Sequence, residues 1–242
     1  MKTSIRYTLI IIVILILTAL SLQACTQVVS AQQGGFSTSN SSTTALAAQD
    51  PLTEEEIESL IYMREEEKLA HDVYLAFYDL YGLSIFKNIA RSEQTHTDAV
   101  KRLLVTFELP DPSDTSPAGV FENTELQSLY DELIQIGSKS LADALKVGAA
   151  IEEIDILDLE ESLAIVKNES IRRVYENLLK GSTNHLRAFT RTLEQIEGET
   201  YEPQYMEEDA YNDIVTASST NAQQSSQSGG QVTNSRGGLG HR

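Results

Sequence analysis

A carboxylate and an imidazole stand three residues apart at Glu93 and His96, inside "ARSEQTHTDAV", residues 90–100. Positions three apart on a helix share a face. Here the neighbours on that face, Phe86, Ile89, Ala90 and Val100, are apolar. An ionised carboxylate turned toward an apolar interior is costly unless it is paired or holds a cation. A single Glu-x-x-His is weak evidence for a metal; partners on other helices would give it weight.

Three further stretches offer such partners. In the run Glu65-Glu66-Glu67, helical phase distinguishes the members. Glu66 is flanked by Tyr62, Met63, Leu69, Ala70, Val73 and Phe77, so it is expected to point inward. Glu67 shares its side with Arg64, His71, Tyr74 and Tyr78, a rim-like setting, and Glu65 faces Lys68 and Asp72. Glu152 lies among Leu145, Gly148, Ala149, Ile156 and Leu159, with Asp155 three residues on, whereas Glu153 sides with Lys146 and Glu160. His185 sits among Leu178, Gly181, Ser182, Ala188 and Phe189. Glu176, beside Arg172, Arg173 and Lys180, reads as solvated, and His71 as surface or rim. A lone inward histidine is more often a hydrogen-bonded core residue than a ligand. The coincidence across four helices is what favours a shared metal site of Glu66, Glu93, His96, Glu152 and His185, with Asp155 as an optional further ligand. Oxygen and nitrogen donors without sulfur suit iron, manganese or zinc.

The elements that must position these residues are helices. No stretch from Pro51 to Glu197 alternates apolar and polar residues with β-branched enrichment, so no sheet is expected and the fold class is all-α. The first long helix opens at "PLTEEEIESL", with Thr53 as N-cap and Glu56 completing a capping box, and runs to Tyr81 before Gly82. The second runs from Ser84 to about Phe107, where Pro110, Pro112 and Pro117 forbid continuation. A short amphipathic helix around Leu126, Leu129, Leu133 and Ile134 interrupts the long connection that follows. The third long helix starts near Ser138 or Ser140 and reaches at least Glu153, with Leu157–Val166 either extending or breaking it. The fourth covers about Ser170 to Glu197 and stops at Gly198. "YEPQYMEEDAYNDIV" is expected to fold back onto the bundle. A short first turn and a long second connection predict a four-helix antiparallel bundle with one crossover, between the second and third long helices.

Both ends differ from this domain. Residues 1–24 carry Lys2 and Arg6 and then an Ile/Leu/Val run from Leu9 to Leu17, the pattern of an export signal. A permanent membrane anchor is the competing reading, although the run is short for a spanning helix. Leu22-Gln23-Ala24-Cys25 resembles a lipobox, which would lipidate Cys25 and tie the chain to a membrane; ordinary cleavage after Ala31 is the alternative. Cys25 is the only cysteine, which rules out an internal disulfide framework. Residues 25–50 read as a Ser/Thr/Gln-rich tether, 51–216 as the domain, and 217–242 as a disordered tail. The expected location is outside the cytoplasmic membrane, at its outer face or in the cell envelope. The formal net charge is −18, and loss of Lys2 and Arg6 with the leader makes it more acidic still. Nucleic acid is therefore not an expected partner, since phosphate binding needs basic patches. A homodimer is among the assemblies left open.

"REEEKLAHDVY", "SEQTHTDAV", "VYENLLKGSTNHLRAF" and "YEPQYMEEDAYNDIV" resemble, block after block, the ferritin-like proteins of domain of unknown function family 2202. The resemblance spans about residues 52–216 and implies a ferritin-like bundle, but no settled activity. By analogy with the wider superfamily of ferritins, rubrerythrins and di-iron oxygenases, it implies iron and oxygen chemistry. In that analogy Glu66 matches the first-helix carboxylate, Glu93 and His96 the second-helix motif, and Glu152 the third-helix carboxylate. The fourth helix should read Glu-x-x-His, yet here it reads Ser182-Thr-Asn-His185. One bridging carboxylate is missing, and Asp155 could only partly replace it.

Three functions compete on this evidence: an exported iron protein that reacts with oxygen or peroxide, a metal-buffering protein without turnover, and a structural or interaction module whose inward polar groups form a hydrogen-bonded network. Tyr62 and Tyr74 are candidate redox neighbours in the first reading, although tyrosine in a bundle is more often packing.

Overall fold

In a computed structural model of the chain, residues 51–226 are described. The leader, Cys25 and the tether lie outside them, as does the end of the tail after Ser226. The described residues are all-helical, without strands. The helices are α1 (Glu54–Tyr81), α2 (Ser84–Thr106), α3 (Thr124–Gly137), α4 (Leu141–Ile165), α5 (Glu169–Glu197) and α6 (Glu208–Ser226). The last runs into the stretch expected to be disordered. None of them is long and apolar enough to cross a membrane.

Local chemistry sets the boundaries. Glu54, Glu55 and Glu56 occupy the first turn of α1, where the helix dipole favours acids. Gly82, at φ 67°, makes the turn into α2. Asn123 and Asn168 cap α3 and α5 by accepting from the second and third backbone N–H groups beyond them. Ser140 caps α4, accepting from Asp143 N at 3.0 Å while its hydroxyl donates to Asp143 Oδ2 at 2.7 Å. The alternative left open for Leu157–Val166 resolves as extension. With no proline or glycine between Leu157 and Ile165, α4 is continuous to Ile165, and Asp155 is helical.

α1 packs most extensively on α2, and α4 on α5, while α3 crosses over α1 and α4. One end of the core is an aromatic cluster. Tyr74 and Phe189 have ring centroids 5.0 Å apart, Phe77 and Phe86 5.6 Å, and Phe86 and Phe189 5.8 Å. Gly148 on α4 lets Phe189 approach, since a Cβ there would sit 2.6 Å from its ring.

α1 and α4 differ from α2 and α5 in a way that matters for the site. Residues 63–70 of α1 are all buried, charged residues included. The same holds for residues 147–153 of α4. α2 and α5 keep a solvated face. Amphipathic phase therefore separates inward from outward residues on α2 and α5, and loses that power on α1 and α4.

Two expectations fail for this reason. Glu65, expected beside Lys68 and Asp72 on a polar face, is buried because the crossover folds over it. Glu122 N donates to its Oε1 at 2.6 Å and Asn123 N to its Oε2 at 3.0 Å. Glu153, expected with Lys146 and Glu160, is fully buried under the segment that returns to the bundle. Gln204 N, Tyr205 N and Met206 N donate to its Oε2 at 3.0, 2.7 and 3.0 Å. Glu56 does similar work at the α4–α5 junction, accepting from Lys167 N and Asn168 N, each at 2.8 Å.

Candidate metal centre

Glu93 stands at the middle of the domain. Its Oε2 lies 2.8 Å from Nδ1 of His96, one turn further along α2. Its Oε1 lies 2.6 Å from Nδ1 of His185 on α5. His96 Nδ1 is also 3.2 Å from Glu67 Oε2 on α1, and His185 Nδ1 is 3.5 Å from Glu152 Oε2 on α4. Two triads result, Glu67–Glu93–His96 and Glu93–Glu152–His185, each with its ligand atoms within 4.8 Å of one another. The two imidazoles stack with centroids 5.7 Å apart.

Around the triads, Tyr74 OH donates to Glu152 Oε1 at 2.6 Å, and Ser92 Oγ lies 3.0 Å from His185 Nε2. Gly181 on α5 makes room for His96, since a Cβ there would fall 2.5 Å from the ring Cε1. Glycine inside a helix costs about 1 kcal/mol relative to alanine. A close approach between α5 and an imidazole on α2 accounts for it here.

Of the six sequence-derived residues, four are brought together in the triads and two are not. Glu93, His96, Glu152 and His185 all enter a triad. Glu66 does not. It is buried beside Asp158 and Asp155, and the α1 residue that enters a triad is Glu67, which helical phase had placed at the rim. Glu67 is 1% exposed because every side of that turn of α1 is covered. Its one sequence signal was its place in a run of three acids. Asp155 lies next to the triads without belonging to either. Its Oδ2 accepts from Ser182 Oγ.

The electrostatics follow from burial. Desolvation, then the charges of Asp158 and Asp155, pushes the Glu66 carboxyl well above its ordinary value. Desolvation and Asp155 do the same for Glu67, against a lowering by His96. Asp155 is raised to about 8 by burial and by Glu152. Burial would raise Glu93 too, but its contacts with His185 and His96 outweigh that and hold it at about 2. Burial disfavours charge on the imidazoles, yet the carboxylates around them lift His96 to about 11 and His185 to about 10. Without another cation, these two imidazolium ions are the local counter-charge to the acids.

They do not satisfy it. Glu66 meets another acid, Asp158, and Oε1 of Glu67, Oε1 of Glu93, Oδ1 of Asp155 and Nδ1 of His185 are buried without a hydrogen-bond partner. For His185 and Glu93 the 2.6 Å separation is an ion-pair distance, but the ring N–H is not aligned with the oxygen. Buried polar atoms in proteins are nearly always hydrogen-bonded. A cluster of orphaned carboxylate oxygens with imidazole nitrogens among them is the donor set of an iron, manganese or zinc ion, and these residues fit such a group.

Residues 56–218 match the family described as an uncharacterized protein domain, DUF2202, and the chain belongs to that family. Among its relatives is the uncharacterized protein MJ0754 of Methanocaldococcus jannaschii, 54% identical over 168 residues, which span 69% of this chain and 90% of that protein. The crystal structure of the hypothetical protein MJ0754 superposes with a TM-score of 0.68 at 53% identity, over 72% of this chain and 98% of the other.

Proposed function

We propose that this chain is a ferritin-like metal-binding protein, with α1, α2, α4 and α5 as the four-helix bundle and α3 within the crossover. Its centre takes iron, as one or two ions, with manganese or zinc as the alternatives. Glu93 sits between two positions, one bounded by Glu67 and His96 and the other by Glu152 and His185. The observation that carries this reading is the set of buried carboxylate oxygens left without donors around those triads. A bound redox metal would supply electron transfer to oxygen or peroxide. The chain's own residues orient and tune: Tyr74 fixes one oxygen of Glu152 and Ser92 the outer nitrogen of His185. Metal binding requires neutral imidazoles, so His96 and His185 release protons as a cation enters. At the N-terminus, an export leader, lipidation at Cys25 and the tether together would hold this domain at the outer face of a membrane.

A second reading, metal buffering without turnover, is favoured by how closed the centre is. The void between α1, α3 and α4 that Glu66, Glu67 and Asp155 line has a volume of about 10 Å³. That is roughly the room one water needs. Any reactant entering by this route must be very small.

The test is elemental analysis of the full chain grown with iron and manganese, alongside a Glu93→Ala/His96→Ala double variant. One or two ions per chain, lost in the double variant, is the expected result. A chain that binds no metal even after reconstitution would sink the proposal and leave a hydrogen-bonded interaction module.

A further inference from the structure

The fourth helix lacks a carboxylate where the Glu-x-x-His pattern calls for one, and the structure offers a replacement from the neighbouring helix. α4 carries Glu152 and Asp155 one turn apart, and α5 carries Ser182 and His185 one turn apart. The two turns face each other, with Ser182 Oγ donating to Asp155 Oδ2. We propose that Asp155 is a cation-binding carboxylate of the Glu67–Glu93–His96 half of the centre, supplied by α4 in place of the acid missing at Ser182 and held in position by the Ser182 hydroxyl. This rests on the reading of the centre as a metal site.

A simple bond between helices does not account for the arrangement. Ser182 needs one acceptor, and an asparagine at 155 would provide it without a charge. The second oxygen of Asp155 is buried with no partner. It belongs to a residue 5% exposed that lines the same void as Glu66 and Glu67. Leaving a charged group half-satisfied in the interior costs several kcal/mol unless a cation is available. Ser182 is itself fully buried, and its one hydroxyl proton is shared between Asp155 Oδ2 and the Leu178 carbonyl oxygen at 3.0 Å. The pairing thus pins one carboxylate oxygen and leaves the other without a partner. Across α4 and α5 together, the complement is Glu152, Asp155 and His185, two carboxylates and one imidazole. It is the complement that a Glu on one helix and Glu-x-x-His on the other would give, with one acid moved across the interface.

Cobalt(II) is a suitable probe, because its visible absorption reports coordination and equilibrium dialysis reports occupancy. The full chain is titrated with Co²⁺ alone, as are Asp155→Asn, Ser182→Ala and the exchange variant Asp155→Ser/Ser182→Glu. Circular dichroism and the melting temperature of each metal-free form report folding. Asp155→Asn is expected to weaken one Co²⁺ about 10–100-fold, within the range of losses seen when groups supporting a metal are removed. Its metal-free melting temperature should hold or rise. Ser182→Ala should weaken the same ion by a smaller factor, and the exchange variant should recover most of the loss. An Asp155→Asn variant that binds as the wild type does overturns the assignment and leaves the metal reading standing. So does a folded exchange variant no better than Asp155→Asn. A wild-type chain that binds no Co²⁺ overturns both, and that is seen before any variant is compared.

Discussion

Two groups of acids are equally buried in this domain and could hardly differ more in their partners. Glu56, Glu65 and Glu153 are each 2% exposed or less, and each is met by two or three backbone N–H groups. Glu66, Glu67 and Asp155 are 5% exposed or less, and each has at least one oxygen with no donor. The first group ties connecting segments to helices. α1 holds the crossover through Glu65 and the α4–α5 junction through Glu56, and α4 holds the returning chain through Glu153. Of the second group, Glu67 pairs with His96, while Glu66 and Asp155 lie beside it. Burial does not separate these two groups of acids; the presence or absence of donors does.

The sharpest way to break that comparison is to neutralise one member of each group. Glu153→Ala leaves three backbone N–H groups without their acceptor, that of Met206 buried and the other two partly so, and a buried one costs about 1–3 kcal/mol. A loss of about 3–5 kcal/mol in unfolding free energy is expected from denaturant titration, with the metal content of the folded fraction unchanged. Glu66→Gln should instead leave the metal-free chain as stable as wild type or more so, since it replaces an acid facing Asp158 and Asp155 with a neutral amide. A Glu66→Gln variant as damaged as Glu153→Ala would mean that unseen partners satisfy Glu66, and the distinction would fall.

The pH dependence of stability sharpens the same contrast with a smaller effect. Asp155 goes from an ordinary 3.8 to about 8 on folding, so its folded form holds a proton the unfolded chain has lost. The stability it contributes is full below pH 3.8 and drains away as pH rises to about 8. His96 and His185, raised from 6.5 to about 11 and about 10, lose their contribution as pH rises through that higher window. Glu93, lowered from 4.5 to about 2, runs the other way and loses its contribution only as pH falls below 4.5. The metal-free chain should therefore lose stability between about pH 4 and 8. The cation-loaded chain should lose much less, because the cation replaces those protons. Melting temperatures in chelator and in saturating Co²⁺ should diverge as pH rises. Parallel curves would show that the orphaned acids do not sense the cation.

The same contrast explains what was legible in the sequence. All-helical structure, the four long helices and the short one in the crossover were readable from periodicity, proline and glycine, because these are local signals. Glu93, His96 and His185 were readable because α2 and α5 have a solvated face against which inward residues stand out. Glu152 was readable from its neighbours, but Glu153 beside it was read as siding with Lys146 and Glu160 and is instead buried. Glu65 and Glu67 were misjudged too. On α1 and α4, further chain covers the second face: residues 122–123 over Glu65, and residues 204–206 over Glu153. Contacts made by segments fifty or more residues away leave no trace in helical phase. The continuity of α4 through Asp155, which decides whether that residue can face Ser182, was likewise undetermined by pattern alone.

The smallest expected effect lies at the border between the two groups. Glu152 shares features of both, with Oε1 held by the Tyr74 hydroxyl at 2.6 Å and Oε2 turned to His185 at 3.5 Å. If a donor on one oxygen serves to aim the other at a cation, Tyr74→Phe should weaken the ion on the His185 side and spare the one on the His96 side. A loss at the lower end of the 10–100-fold range is expected, because Phe189 still packs against the ring of residue 74 and Glu152 keeps its place on α4. The metal-free chain should change little, since removing the phenol frees an acceptor in a cluster already rich in them. Co²⁺ titration separates these outcomes. Equal weakening of both ions would mean that Tyr74 acts on the packing of the whole bundle. No weakening of either would place Glu152, like Glu153 beside it, among the acids that hold the fold and not the metal.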